Sequence, residues 1–135
     1  MTILLDTNVL VYDAIENSPH HKVAVDIIDE SKDPVVNSIS IIELGFVLPR
    51  YGIENNGVQK KLGELLNGDY FTISWINGRM LKGASEFIVE NKLSFREFND
   101  WIIAYDAHFR SIPLATFDVS LSRKCKRLGI KVAEE

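Results

Sequence analysis

Ile3-Leu4-Leu5-Asp6-Thr7-Asn8-Val9-Leu10 is the stretch on which the reading of the fold turns. The apolar run Ile3 to Leu5 suits a strand buried on both faces, as in the middle of a parallel sheet. It stops at three small polar residues, Asp6, Thr7 and Asn8, after which Val9, Leu10 and Val11 resume an apolar pattern. A carboxylate therefore stands at the C-terminal end of a central strand, the rim where open α/β sheets bind ligands. The same carboxylate has a plainer use, because Asp, Thr and Asn are all good N-caps for a following helix. On this stretch alone both uses stay open.

Working outward, residues 7 to 15 read as a short helix that Asn17, Ser18 and Pro19 break. Val23, Ala24, Ile27 and Ile28 repeat at helical spacing and predict a helix over 20–31. Val35 and Val36 begin a second strand that ends near Asn37 and Ser38. A helix follows from Ser40, where Ser40-Ile41-Ile42-Glu43 has the spacing of a capping box, and stops near Pro49. Residues 52–57 are loop-like. Val58, Leu62, Leu65 and Leu66 mark a helix closed by Asn67-Gly68, residues 70–74 a third strand, and residues 78–91 another helix. Ser94 to Glu97 has capping-box spacing again, ahead of a helix through Trp101, Ile102, Ala104 and Tyr105 that ends before Pro113. Leu114 and Ala115 give a fourth strand, residues 119–128 a last helix, and Ile130 to Val132 a fifth strand. Strands alternating with helices predict an α/β domain with a mostly parallel sheet of four to five short strands, one domain over 1–135.

Composition narrows the function classes. No apolar run approaches the ~20 residues that span a bilayer. The N-terminus lacks a basic region before the acid at position 6 and does not read as a secretory signal. One cysteine, Cys125, permits neither a disulfide framework nor a zinc cluster within the chain, which points to a reducing, cytoplasmic setting. A net charge of -4 argues against holding nucleic acid by bulk electrostatics, yet cations bound to carboxylates supply positive charge locally. Arg123, Lys124, Lys126, Arg127 and Lys131 form a basic cluster that is either a solvated helix face or a guide for RNA.

Of the acids, Glu16, Asp29, Glu30, Glu64, Glu90, Glu134 and Glu135 read as surface charges. Four others occupy less ordinary places. Asp6 ends the first strand, Glu43 lies in the first turn after the second, Asp100 lies early in the helix before the fourth strand, and Asp118 follows that strand. Strand C-termini share one edge of a parallel sheet, so Asp6, Asp118 and the start of the Glu43 helix collect there, with Asp100 arriving from a flanking helix. Carboxylates so gathered resist ionising together, and a divalent cation reverses that cost. Oxygen ligands suit Mg²⁺ or Mn²⁺, and the matching chemistry is phosphodiester hydrolysis. Each acid also has a structural use: Glu43 in its capping box, Asp100 as a first-turn charge, Asp118 as the N-cap of the last helix.

Asp6-Thr7-Asn8 after an apolar strand, Ser40-x-x-Glu43 opening a helix, Asp100 followed by Trp101-Ile102-Ile103-Ala104, and Thr116-Phe117-Asp118 together resemble the PIN domain family. The resemblance covers nearly the whole chain. It implies a three-layer α/β/α fold and a Mg²⁺- or Mn²⁺-dependent endoribonuclease with Asp6, Glu43, Asp100 and Asp118 as catalytic metal ligands, Asp118 being the least essential. Thr7, Asn8, Ser40 and Thr116 fall where the family places polar groups that hold the ligands. At this size the chain most resembles the VapC-type toxins of type II toxin–antitoxin pairs, which implies a homodimer and a small antitoxin partner. RNA, single-stranded or looped, is the implied substrate, with Arg123, Lys124, Lys126 and Arg127 as its contacts.

Other readings compete. An inactive PIN-like module that binds RNA or protein would not need all four acids, and an RNA-processing nuclease without an antitoxin would share the chemistry. A phosphatase with an aspartyl nucleophile wants a second Asp where Asn8 stands. Dinucleotide binding lacks its Gly-x-Gly-x-x-Gly after a strand. His20 and His21 read as exposed, non-catalytic residues at a helix start. Asp106, six positions after Asp100, points away from it. Glu97, three back, is assigned to its capping box, and Phe46, Leu48 and Tyr51 are assigned mostly to the core.

Overall fold

The computed structural model describes residues 1–133, so Glu134 and Glu135 lie outside the described residues. The opening apolar run contributes β1 (Leu4–Leu5), and the later strands are β2 (Val35–Asn37), β3 (Thr72–Ser74) and β4 (Leu114–Ala115). They form one parallel sheet in the order β3-β2-β1-β4. Leu4 stands opposite both Val35 and Leu114, which makes β1 an inner strand, as its burial pattern requires.

Seven helices flank the sheet: α1 (Thr7–Ala14), α2 (His21–Glu30), α3 (Ser38–Val47), α4 (Asn55–Asn67), α5 (Gly78–Glu90), α6 (Phe98–Arg110) and α7 (Val119–Arg127). Because successive strand residues face opposite ways, the sheet builds two cores. Leu5, Val36 and Ala115 pack with Val9, Leu10, Leu44 and Leu65 from α1, α3 and α4. Leu4, Val35 and Leu114 pack with Ile88, Trp101, Ile103, Leu121 and Cys125 from α5, α6 and α7. The result is the three-layer α/β/α arrangement. Among the described residues no helix is long and apolar enough to cross a membrane.

Several local expectations change. Asn37, not Ser40, caps α3: its side chain accepts from the Ile39 N–H at 2.9 Å, and Ser40 is buried inside the helix. The second apparent capping box opens a 3₁₀ turn (Phe95–Glu97) in which Ser94 accepts from the Arg96 N–H, while Glu97 pairs with Lys124 at 3.2 Å. α4 begins at Asn55, so Gly57 lies in a helix rather than a loop. The fifth strand reduces to one bridge between Leu114 and Val132. Leu48 is buried, but Phe46 and Tyr51 are 70% and 53% exposed. α3 is apolar around most of its circumference, so spacing alone does not say which side faces the sheet.

Asp106 does point away from Asp100's role. It is fully buried and accepts from Asn37 Nδ2 at 2.9 Å and from Arg110 Nε at 3.1 Å, and Arg110 also donates to Ser74 Oγ at 2.9 Å. The network ties the ends of β2 and β3 to α6. Asp106→Ala leaves the buried Asn37 amide without its carboxylate acceptor and releases the partly exposed Arg110. It is expected to lower the unfolding free energy by about 2 kcal/mol, read as a lower urea midpoint at unchanged m-value. An unchanged midpoint would refute the account.

Candidate active site

The strand order places a crevice where ligands of open α/β sheets are held. From β1 the chain moves out through β2 to β3, then returns across the other face to β4 on the far side of β1. The neighbouring C-terminal ends of β1 and β4 therefore lead into connections on opposite sides, which is a topological switch point. Asp6 follows β1 directly, and Thr116 follows β4 directly.

Asp6 turns out to be both cap and cavity acid. It is the N-cap of α1, accepting from the Thr7 N–H at 2.8 Å, and its other oxygen accepts from Thr116 Oγ1 at 2.7 Å. Thr116 is saturated by this geometry, since its hydroxyl oxygen also accepts from Asn8 Nδ2 at 3.3 Å and from the Asp118 N–H at 3.0 Å. Asn8 Oδ1 in turn accepts from the Phe117 N–H at 3.1 Å. Asp118 caps α7 through the Leu121 N–H at 3.0 Å. On the α3 side, Thr7 Oγ1 lies 2.9 Å from Ser40 Oγ and donates to Glu43. The second Glu43 oxygen accepts from Asn99 Nδ2 at 3.2 Å. Asp100 sits in the first turn of α6, and among the described residues its carboxylate accepts no hydrogen bond.

All four acids line one cavity of about 250 Å³, together with Thr7, Asn8, Val11, Tyr12, Val47 and Tyr51. Asp6, Glu43, Asp100 and Asp118 thus line one cavity; Thr7 and Thr116 hydrogen-bond to these acids directly, and Ser40 and Asn8 bond to those two threonines. Asn99 is a support that the sequence did not reveal, because an Asn beside Asp100 carries no motif of its own. The basic cluster divides. Arg123 and Lys126 line an adjoining cavity with Asp118, Lys124 is turned to Glu97, and Arg127 and Lys131 are exposed elsewhere on the surface. His20 is exposed, and His21 Nδ1 meets the Tyr12 carbonyl at 2.9 Å.

The gathering of negative charge is visible in the proton affinities. Burial pushes the Asp6 carboxyl up to about 6; hydrogen bonds from Thr116 and the Thr7 N–H pull it back, and Glu43 and Asp118 push it further up. Asp100 is pushed up to about 7, first by burial and then by Asp6, Glu43, Asp118 and Glu97. Burial, followed by Asp6, Asp100 and Asp118, lifts the Cys125 thiol to about 12, so it stays protonated. Hard oxygen donors, mutual repulsion and the open lone pairs of Asp100 suit a divalent cation. Among the described residues no three acid, His or Cys side chains stand close enough to ligate one ion together. Mg²⁺ usually keeps several waters and takes only one or two carboxylates.

A stability consequence follows from Asp100. Its folded carboxyl holds a proton more tightly than the unfolded value of 3.8, so its contribution is present at low pH and is lost as pH rises through about 7. Asp100→Asn cannot ionise. The metal-free variant is expected to gain stability relative to wild type as pH rises from about 4 to about 8, measured by thermal or urea unfolding. A difference that stays flat across that window would contradict the assignment.

With that geometry in hand, a model of the PIN domain family matches residues 3–127. The fold is similar to that of VapC20 from Mycobacterium tuberculosis, described as a sarcin–ricin loop cleaving toxin. That match has a TM-score of 0.77 and 14% identity, covering 90% of this chain and 94% of that one. It is also similar to a toxin–antitoxin complex from Klebsiella pneumoniae, at TM-score 0.69 and 19% identity over 97% and 96% of the two chains. FitAcB from Neisseria gonorrhoeae matches at TM-score 0.66 and 21% identity over 98% and 96%. No curated protein matches in sequence. These identities speak for the fold, whereas the family match runs from β1 to the end of α7, and by it the chain belongs to the PIN domain family.

Proposed function

We propose that this chain is a Mg²⁺- or Mn²⁺-dependent endoribonuclease and the toxin of a toxin–antitoxin pair. The observation that carries the reading is the set of four acids around one cavity at the switch point, two of them with raised proton affinity. Among the structurally similar proteins, one is described as cleaving the sarcin–ricin loop and another as a toxin–antitoxin complex. Asp6 and Asp100 would hold the cation, with Glu43 and Asp118 completing or adding a site. Such an ion, when bound, lowers the pKa of water and neutralises charge on phosphorus and the leaving oxygen.

The chain's own residues do the positioning. Thr116 and the Thr7 N–H hold Asp6 in one rotamer, and Thr7 and Asn99 hold Glu43. Asp100, free of protein hydrogen bonds, is the carboxylate best placed to orient the attacking water. Attack in line at phosphorus forms the new P–O bond as the bond to the 3′-oxygen breaks. The water's proton ends on that oxygen, giving a 5′-phosphate and a 3′-hydroxyl. Arg123 and Lys126, beside Asp118, are assigned to the RNA backbone leaving the cavity. An antitoxin and a second copy of the chain complete the reading. Exposed Ile42, Phe46, Trp75 and Phe109 offer apolar surface for such partners to cover.

Asn caps a helix about as well as Asp, so Asp6→Asn keeps α1 while changing the carboxylate. It is expected to abolish Mg²⁺-dependent cleavage of single-stranded RNA, and a folded variant that cleaves at the wild-type rate sinks the assignment. Thr116→Val removes the hydroxyl that holds Asp6 and is expected to lower Mg²⁺ affinity by roughly 10–100-fold, read by calorimetry. Wild-type affinity in that variant would show that Thr116 does not position the acid.

A further inference from the structure

The cavity has a second half that hydrolysis alone does not use. Beyond the acids it is walled by Val11 and Tyr12 of α1, Val47 at the end of α3, and Tyr51 of the 3₁₀ turn Leu48–Tyr51. No Lys, Arg or His is among its lining residues. Away from the acids, a phosphate there would meet no positive charge. A flat, uncharged group with a polar edge meets no such penalty. The aromatic wall is also fixed in place. Asn8 and Tyr12 are four apart on α1 and so share a face. The Tyr12 ring packs edge-on to Phe117 at 5.2 Å and 81°, and against His20 at 4.7 Å. Phe117 is pinned by its N–H to Asn8. Tyr12 is therefore tied to the acid floor through α1, Phe117 and Asn8. Arg123 and Lys126 line a separate cavity that shares Asp118 with this one.

We propose that Tyr12 and Tyr51 form a base-stacking subsite, in which an unpaired nucleobase adjacent to the scissile phosphate stacks on Tyr12 while Tyr51 closes the pocket. Base stacking on aromatic rings is sequence-tolerant and strong enough to set register on a single strand. This inference rests on the nuclease reading for its occupant, an RNA strand. An antitoxin side chain in the same place is the outcome to be told apart.

The test uses the full chain carrying Asp6→Asn, so that the probe is not consumed, and a short single-stranded RNA followed by fluorescence anisotropy. Tyr12→Leu and Tyr51→Ala are each expected to weaken binding roughly tenfold, with Tyr12→Phe retaining it. An abasic site walked along the RNA should cost the parent chain the same roughly tenfold at one position and cost Tyr12→Leu nothing more there. Tyr51 is exposed, so Tyr51→Ala gives the reading even if Tyr12→Leu unfolds. Abasic losses that add to the Tyr12→Leu loss at every position overturn the subsite. So does undiminished RNA binding by both variants, including the case where only an antitoxin peptide binds less well. Wild-type cleavage with Mg²⁺ is scored separately. Coupling without cleavage sinks the nuclease reading alone, and cleavage without coupling sinks the subsite alone.

Discussion

Four carboxylates face one another across the end of the sheet, and no basic side chain lines the space between them. Everything around the cavity is arranged to keep them there despite their repulsion. Asp6 cannot turn away without uncapping α1 and losing Thr116. Asp118 cannot turn away without uncapping α7. Glu43 is held from both sides by Thr7 and Asn99. Asp100 alone has no such tether, and it carries the larger rise in proton affinity of the two shifted acids. The fold thus stores an electrostatic deficit that a bound cation would relieve, and hydrogen bonds to the charged forms offset part of its cost.

Capping and chemistry are usually offered as rival explanations for an acid at a strand end. In this chain Asp6 and Asp118 each cap a helix and line the acid cavity at once. One oxygen of Asp6 accepts from the helix while the other accepts from a threonine across the crevice, so the helix start fixes the carboxylate's rotamer. The cap is therefore part of the site's preorganisation. The Asp106 network does the same work at longer range. It binds Asn37, which caps the helix carrying Glu43, to the helix carrying Asp100.

Much of this was legible in the sequence, for identifiable reasons. Short apolar runs ended by polar residues located β1, β2 and β4, and the places of Asp6, Glu43, Asp100 and Asp118 in the chain pointed to the edge where the four acids gather. What could not be read were features in which two local signals compete. Ser40-x-x-Glu43 has capping-box spacing, but Asn37 is an equally good cap three residues earlier and the strand delivers it there. Ser94-x-x-Glu97 fits the same pattern, but Glu97 finds Lys124, a partner far along the chain. Gly57 disguised the first turn of α4 as loop. The apolar circumference of α3 concealed that Phe46 faces solvent. Asn99 and the Tyr12–Tyr51 wall depend on tertiary placement that no spacing encodes.

The pairing of β1 with β4 joins Leu4 to Leu114 and Leu5 to Ala115, partners that are nearly the whole chain apart. Such contacts are slow to form because long loops must close first. Thr116 reaches Asp6 only once they have formed. A chain still emerging from the ribosome has its first acid and its first helix long before it has the threonine that aims that acid. The acid cavity is thus completed only after β4 has been made, although its first residue is among the earliest.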